Sequence, residues 1–179
     1  MSKGKIFAGV CCVAVLVLML MIGSSPKTIS QFIDHYNKEI ETFATEKNLP
    51  VSDFKLKKDS YPTNGQKKIQ KLFDGNMIFE GREYNDSFIV EVRFNENMIS
   101  IFGADMTSDI IFSFVKAAIM ATDEDYDMVM KSMGVSTYNE DEIRNEINGG
   151  DIKSTTFNGK RYTLSWPNEF IIFYLEVPK

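Results

Sequence analysis

Apolar residues recur at three- and four-residue steps through residues 28–47, placing Ile29, Phe32, Ile33, Tyr36, Ile40 and Phe43 on one stripe. That spacing predicts an amphipathic helix, and the width and aromatic content of the stripe predict that it packs on a domain. Thr28, followed three residues later by Gln31, has the pattern of an N-terminal cap, and Leu49 with Pro50 marks the end.

Beyond Pro50 the period falls to two. Phe54 and Leu56 alternate with charges and read as a strand, and Tyr61-Pro62-Thr63-Asn64-Gly65 reads as a turn. Asp74-Gly75 sits between apolar-containing runs at 69–73 and 77–79, a hairpin signal. Residues 88–94 set Phe88, Val90, Val92 and Phe94 on one face and Ile89, Glu91 and Arg93 on the other. One side is core and the other wet, as in an antiparallel sheet. Residues 98–102, reached through Asn95-Glu96-Asn97, are expected to be its hairpin partner.

A run capped by Ser108 or Asp109 and reaching Ala121 is apolar nearly all round, interrupted by Lys116. It is too short to span a bilayer and is therefore predicted as a buried central helix. Thr122, Asp123, Glu124 and Asp125 are expected to open a second helix carrying Met128, Val129 and Met133 and ending at Gly134. A third, polar helix is predicted over 139–148, with Ile143 and Ile147 four apart and Gly149-Gly150 as its stop. The chain closes with strands at 152–157 and 161–166 around Asn158-Gly159, then a turn through Pro167, Asn168 and Glu169 and a strand over 170–177. Segregated runs of strands and helices argue an α+β fold, with an antiparallel sheet and helices on one face. Helix then strands occurs twice, the outline of a duplication, but no residue-level repeat accompanies it.

The first residues follow a different rule. Lys3 and Lys5 precede seventeen uncharged residues, 6–22, and Gly23, Ser24, Ser25 and Pro26 break the run. A positive start before an apolar stretch is an export pattern. Residues 1–25 thus read as a signal-anchor or signal peptide, contacting the membrane through residues 4–22, and residues 26–179 as a single extracytoplasmic domain. The exit lacks a good small-x-small site: Met21 or Ile22 would occupy its first small position, or Pro26 would follow the cut. This favours an uncleaved, single-pass anchor with the C-terminal domain outside over the alternative, a secreted protein. Cys11 and Cys12 interrupt the apolar run instead of ending it, unlike a lipobox cysteine. No cysteine follows, which excludes a disulfide, a thiolate metal site and a cysteine nucleophile from the body.

Charge narrows the partners. Removing Lys3 and Lys5 leaves 18 basic against 25 acidic residues, a net −7, which argues against nucleic acid. The local excess of Lys55, Lys57, Lys58, Lys67, Lys68 and Lys71 is mixed with Asp53 and Asp59 and reads as a solvated face, or alternatively as a membrane-facing basic patch.

Chemistry is scarce. His35 is the only histidine, too few for a multi-histidine metal site, and no G-x-S-x-G elbow offers it a serine. Asp123-x-Asp125-x-Asp127 resembles a calcium loop but fails it, with Met128 at the sixth position and Gly134 at the twelfth. Acids complementing a helix dipole explain the run better. Phosphate-loop, dinucleotide and zinc-protease motifs are absent, so the sequence assigns no catalytic, metal or cofactor residue. Asn85-Asp86-Ser87 is a glycosylation sequon by pattern alone. Met106, Met120, Met128, Met130 and Met133 fall on the helical layer as gap-filling core or as an adaptable pocket, and Trp166 with Pro167 forms a candidate interaction surface.

From about residue 105 to 177 the chain carries an apolar helix ending Ala117-Ala118-Ile119-Met120-Ala121, the acidic start Thr122-Asp123-Glu124, the Gly134 stop and the hairpin Asn158-Gly159-Lys160-Arg161-Tyr162. This stretch resembles small exported or membrane-anchored domains of unknown function from Gram-positive bacteria; the resemblance implies an α+β body outside the cytoplasm and no catalytic residue. The expectation is a non-catalytic binding or interaction module on the outer face of a bacterial membrane, with an unknown protein or small-molecule partner. The alternative is a small-ligand-binding domain or carboxylate-based enzyme, with Asp123, Asp125 or Asp127 as acid or base in a cleft between sheet and helices.

Overall fold

A computed structural model describes residues 25–179 except 96, 136–151, 166, 168 and 169. The apolar segment 6–22, the predicted helix at 139–148 and Trp166 lie outside the described residues. Among the described residues, no helix is long and apolar enough to cross a membrane.

The first helix, α1 (Ile29–Glu46), buries Ile29, Phe32, Ile33, Tyr36 and Ile40 of the predicted stripe and packs Phe43, partly buried, against the core. Thr28 caps it by accepting the Gln31 N–H at 3.2 Å, and Gln31 Oε1 takes the Lys27 N–H at 2.8 Å. A third partner comes from the sheet: the buried Glu83 carboxylate accepts the Ile29 N–H at 3.2 Å and is paired with Lys179 at 3.1 Å. An anion at a helix N-terminus meets unpaired N–H groups and the positive dipole end, so Glu83 pins α1 to the sheet.

Among the described residues six strands form one antiparallel sheet: β1 (Lys68–Leu72), β2 (Met77–Glu83), β3 (Ser87–Asn95), β4 (Lys153–Phe157), β5 (Lys160–Ser165) and β6 (Phe170–Pro178), in the order β1-β2-β3-β6-β5-β4. Each half is a three-stranded meander, and the two meet through their last strands. The β4–β5 turn is the predicted one, with φ of 48° at Asn158 and 78° at Gly159, as a type I′ turn requires. The Asp74-Gly75 signal likewise marks the β1–β2 connection, in a single 3₁₀ turn.

Two predicted strands are helices. Residues 51–54 form a short helix, α2 (Val51–Phe54), and Leu56 is extended but unpaired with any strand. The Asn37 side chain takes over the role of a partner strand: its Oδ1 accepts the Leu56 N–H at 2.8 Å and its amide donates to the Leu56 carbonyl at 2.8 Å. Residues 98–102 belong to α3 (Asn97–Phe102), not to a hairpin. The neighbours of β3 are β2 and β6, so no edge remains for them. Asn95 Oδ1 takes the Asn97 N–H at 2.8 Å and turns the chain, and Met98 and Phe102, four apart, supply the inward face.

The central helix α4 (Ala104–Met120) begins four residues before the expected Ser108 cap, with Gly103 at φ 80° as its N-cap. The next helix, α5 (Tyr126–Ser132), starts later than Thr122 because Asp123 sits at φ 61°; Asp125 is its cap, accepting the Met128 N–H at 2.9 Å.

Inward residues of every described strand and helix join one buried cluster or pack against it, β4 through Phe157 alone. Ring contacts tie the layers: Phe32 lies 6.0 Å from Phe88, Tyr36 4.8 Å from Phe114, and Phe114 5.5 Å from Phe94. Gly81 of β2 lies directly against Tyr61 and the first residue of α1. A Cβ there would sit 2.8 Å from the Tyr61 ring and 3.2 Å from Ile29 Cδ1. Gly81→Ala is therefore expected to cost about 1–3 kcal/mol in urea denaturation, because the helix must lift from the sheet to admit a methyl.

Candidate functional site

Two places combine chemistry with accessible space or buried charge. The first is the turn between α4 and α5, where it meets the β4–β5 hairpin. The inward register of Tyr162 and Leu164 on β5 carries Lys160 inward too, leaving it 7 % exposed. Its ammonium donates to Glu124 Oε1 at 2.5 Å and to the Thr122 carbonyl at 2.6 Å. Glu124, 9 % exposed, also accepts the Asn158 amide at 2.8 Å. The buried Thr122 hydroxyl donates to the Ile119 carbonyl at 2.7 Å, so the Tyr162 phenol is the donor in the 2.8 Å contact between the two. Burial, then the nearby Glu124 charge, pushes the Tyr162 phenol far above its usual range. Every polar group of this knot has a partner, which is the pattern of a structural lock: it holds the second meander against the helical layer.

His35 is half-buried, and its Nδ1–H donates to the Ala121 carbonyl at 3.2 Å beside this knot. A carbonyl can only accept, which fixes the tautomer. Asp123, Asp125 and Asp127 are all exposed, so the carboxylate run supplies one buried acid, Glu124, and that one is paired. Among the described residues no cluster of His, Cys, Asp and Glu has the form of a metal site. Pro167 is exposed, and its proposed companion Trp166 lies outside the described residues.

Besides Glu83 and Glu124, the carboxylate of Glu80 is buried, 3 % exposed, on the sheet face away from the helices. Arg82 is bonded to it, with Lys67 at 3.5 Å and Arg93 at 3.7 Å. This carboxylate too is fully compensated.

The second place is a groove of about 710 Å³ along β1. One wall is the unbroken run of residues 69–74; the other is built from residues 49–57 with Ile101, Phe102, Met106 and Ile110. Ile101 and Met106, 58 % and 45 % exposed, line the groove from the helical layer, whereas Ile69, 49 % exposed, forms part of its β1 wall with its side chain on the sheet face that carries Glu80. Lys55, Lys57 and Lys71 stand on its walls with Asp53 and Asp74. Of the methionines predicted as core or pocket, Met130 and Met133 are core, Met106 lines the groove and Met128 is exposed. The groove was hidden in the sequence because α3, which supplies Ile101 and Phe102, reads there as a strand.

No family model matches this chain, and neither a curated protein nor a solved structure does.

Proposed function

We propose that this chain is a non-catalytic binding module, carried to the outer face of a bacterial membrane by its N-terminal apolar segment, that takes its partner in the groove along β1. The observation that supports this reading is the pair Ile101 and Met106, about half-exposed, lining a groove of about 710 Å³ against the β1 edge of the sheet. Large apolar side chains held in water are costly unless something covers them, and a rimmed apolar groove is the form such sites take. The carboxylates of the enzymatic alternative, Asp123, Asp125 and Asp127, do not line this groove.

Two measurements on the full chain test the reading. The body has no cysteine, so a single Ser52→Cys variant is expected to react in intact cells with a membrane-impermeant maleimide. Protection until the cells are lysed would place the domain on the inner side. A photo-reactive residue at position 101 is expected to give a discrete adduct in intact cells, and Met106→Asp to reduce its yield by roughly tenfold, since a carboxylate in an apolar contact costs more than 1.4 kcal/mol. An unchanged yield would overturn the groove as the binding site.

A further inference from the structure

The hydrogen-bond ladder fixes which backbone groups of β1 are free. The Tyr84 N–H donates to the Ser87 carbonyl and the Asn95 N–H to the Asn76 carbonyl, both at 2.8 Å. In an antiparallel ladder the direction of bonding alternates, so even-numbered β2 residues bond to β3 and odd-numbered ones bond towards β1. The Gly65 N–H on the Glu83 carbonyl, at 2.8 Å, agrees. With Gln70 opposite Phe79 and Leu72 opposite Met77, the N–H and C=O of Ile69 and Lys71 point to the open edge, and no described group bonds them. The chain near residue 57 passes beneath, on the helix face, held by the Gln70 amide to the Lys57 backbone at 2.7 and 2.6 Å. The edge itself stays open, and a groove wall made of consecutive residues with side chains on both faces is the edge of a strand.

We infer that the groove takes its occupant as an added strand: an extended segment of another protein, alternating apolar and acidic residues, pairs with the Ile69 and Lys71 backbone. This deepens the proposed binding function and rests on it. Charge selects the occupant. Lys71 on β1 and Lys57 across from it line the groove beside Asp53 and Asp74, while Lys55, Lys67 and Lys68 are paired with Glu41, Glu80 and Asp59. A second copy of β1 would bring lysines against lysines, a common guard against edge-to-edge pairing, whereas an acidic strand is matched and its apolar side chains meet Phe54, Leu72 and Phe102.

The test uses the full chain in nanodiscs and a fluorescein-labelled peptide of about nine residues, a usual strand length, alternating valine and glutamate. Saturable binding is expected, with slowed amide exchange at Ile69 and Lys71 and none at Gln70. Ile69→Pro removes an outward N–H and leaves the β1–β2 ladder intact, so it is expected to retain the circular dichroism spectrum and to weaken binding about tenfold. Lys57→Glu with Lys71→Glu is expected to shift preference to a valine–lysine peptide, which keeps the inference testable if the proline variant misfolds. Peptide binding with unchanged exchange at Ile69 and Lys71, or equal affinity for the lysine peptide in the parent chain, would overturn strand addition and leave the groove as a binding site. A peptide-independent dimer abolished by Ile69→Pro would overturn it in favour of a second copy.

Discussion

Lys160→Met is expected to lower the unfolding free energy by about 3–5 kcal/mol, read from urea denaturation of the full chain. The size follows from what remains. Glu124 is 9 % exposed and has only the Asn158 amide left to satisfy it, while the Thr122 carbonyl loses its 2.6 Å donor. A buried carboxylate without its cation is among the costliest single lesions a domain can carry. Replacing both partners tells a stabilising pair from a merely compensated one: Glu124→Leu with Lys160→Met is expected to recover most of the loss, because the desolvation of both charges disappears with them. A single variant within 1 kcal/mol of the parent would mean that Glu124 reaches water and that the knot is looser than its geometry.

How much of this could be read from the chain differs sharply between elements. The α1 stripe, the inward row of β3 and the Asn158-Gly159 hairpin are set by local periodicity and turn chemistry, and they form where the pattern puts them. Residues 98–102 show the limit. Their alternation is compatible with a strand, but β3 has β2 on one side and β6 on the other, and β6 begins some seventy residues later. No local signal reports that an edge is already taken. Residues 51–56 fail for a related reason, since the partner of Leu56 is the side chain of Asn37 on a helix. Glu124 was hidden among its acidic neighbours, yet a signal existed. The inward register of Tyr162 and Leu164 puts Lys160 inside, and a buried lysine implies a buried acid. The groove had no such signal, because its walls come from three separate stretches of chain.

Raising the pH above 10 is expected to destabilise the fold steeply, and the cause lies in two phenols. Tyr36 is fully buried and donates to the Phe54 carbonyl at 3.1 Å; Tyr162 donates to Thr122. Burial raises both above the ordinary tyrosine value of 10.0. Below that pH folded and unfolded chains both hold the two protons, and the stabilising effect of burying neutral phenols is complete. Above it the unfolded chain releases them while the folded chain keeps them, so stability falls as pH rises, by about 1.4 kcal/mol per pH unit for each tyrosine and about 3 kcal/mol per unit for the pair. Denaturant titrations at intervals between pH 9 and 11.5 give the slope directly. Tyr36→Phe and Tyr162→Phe each lose a hydrogen bond and are less stable at neutral pH by about 1 kcal/mol. Their diagnostic property is the slope: each is expected to lower it by about 1.4 kcal/mol per pH unit, and the double variant to remove this two-proton component altogether, leaving what the raised Tyr61 and Tyr174 contribute. A parent chain whose stability is flat across this range would mean that both phenols ionise in the folded state, contradicting the sealed packing of Tyr36 against Phe32 and Phe114.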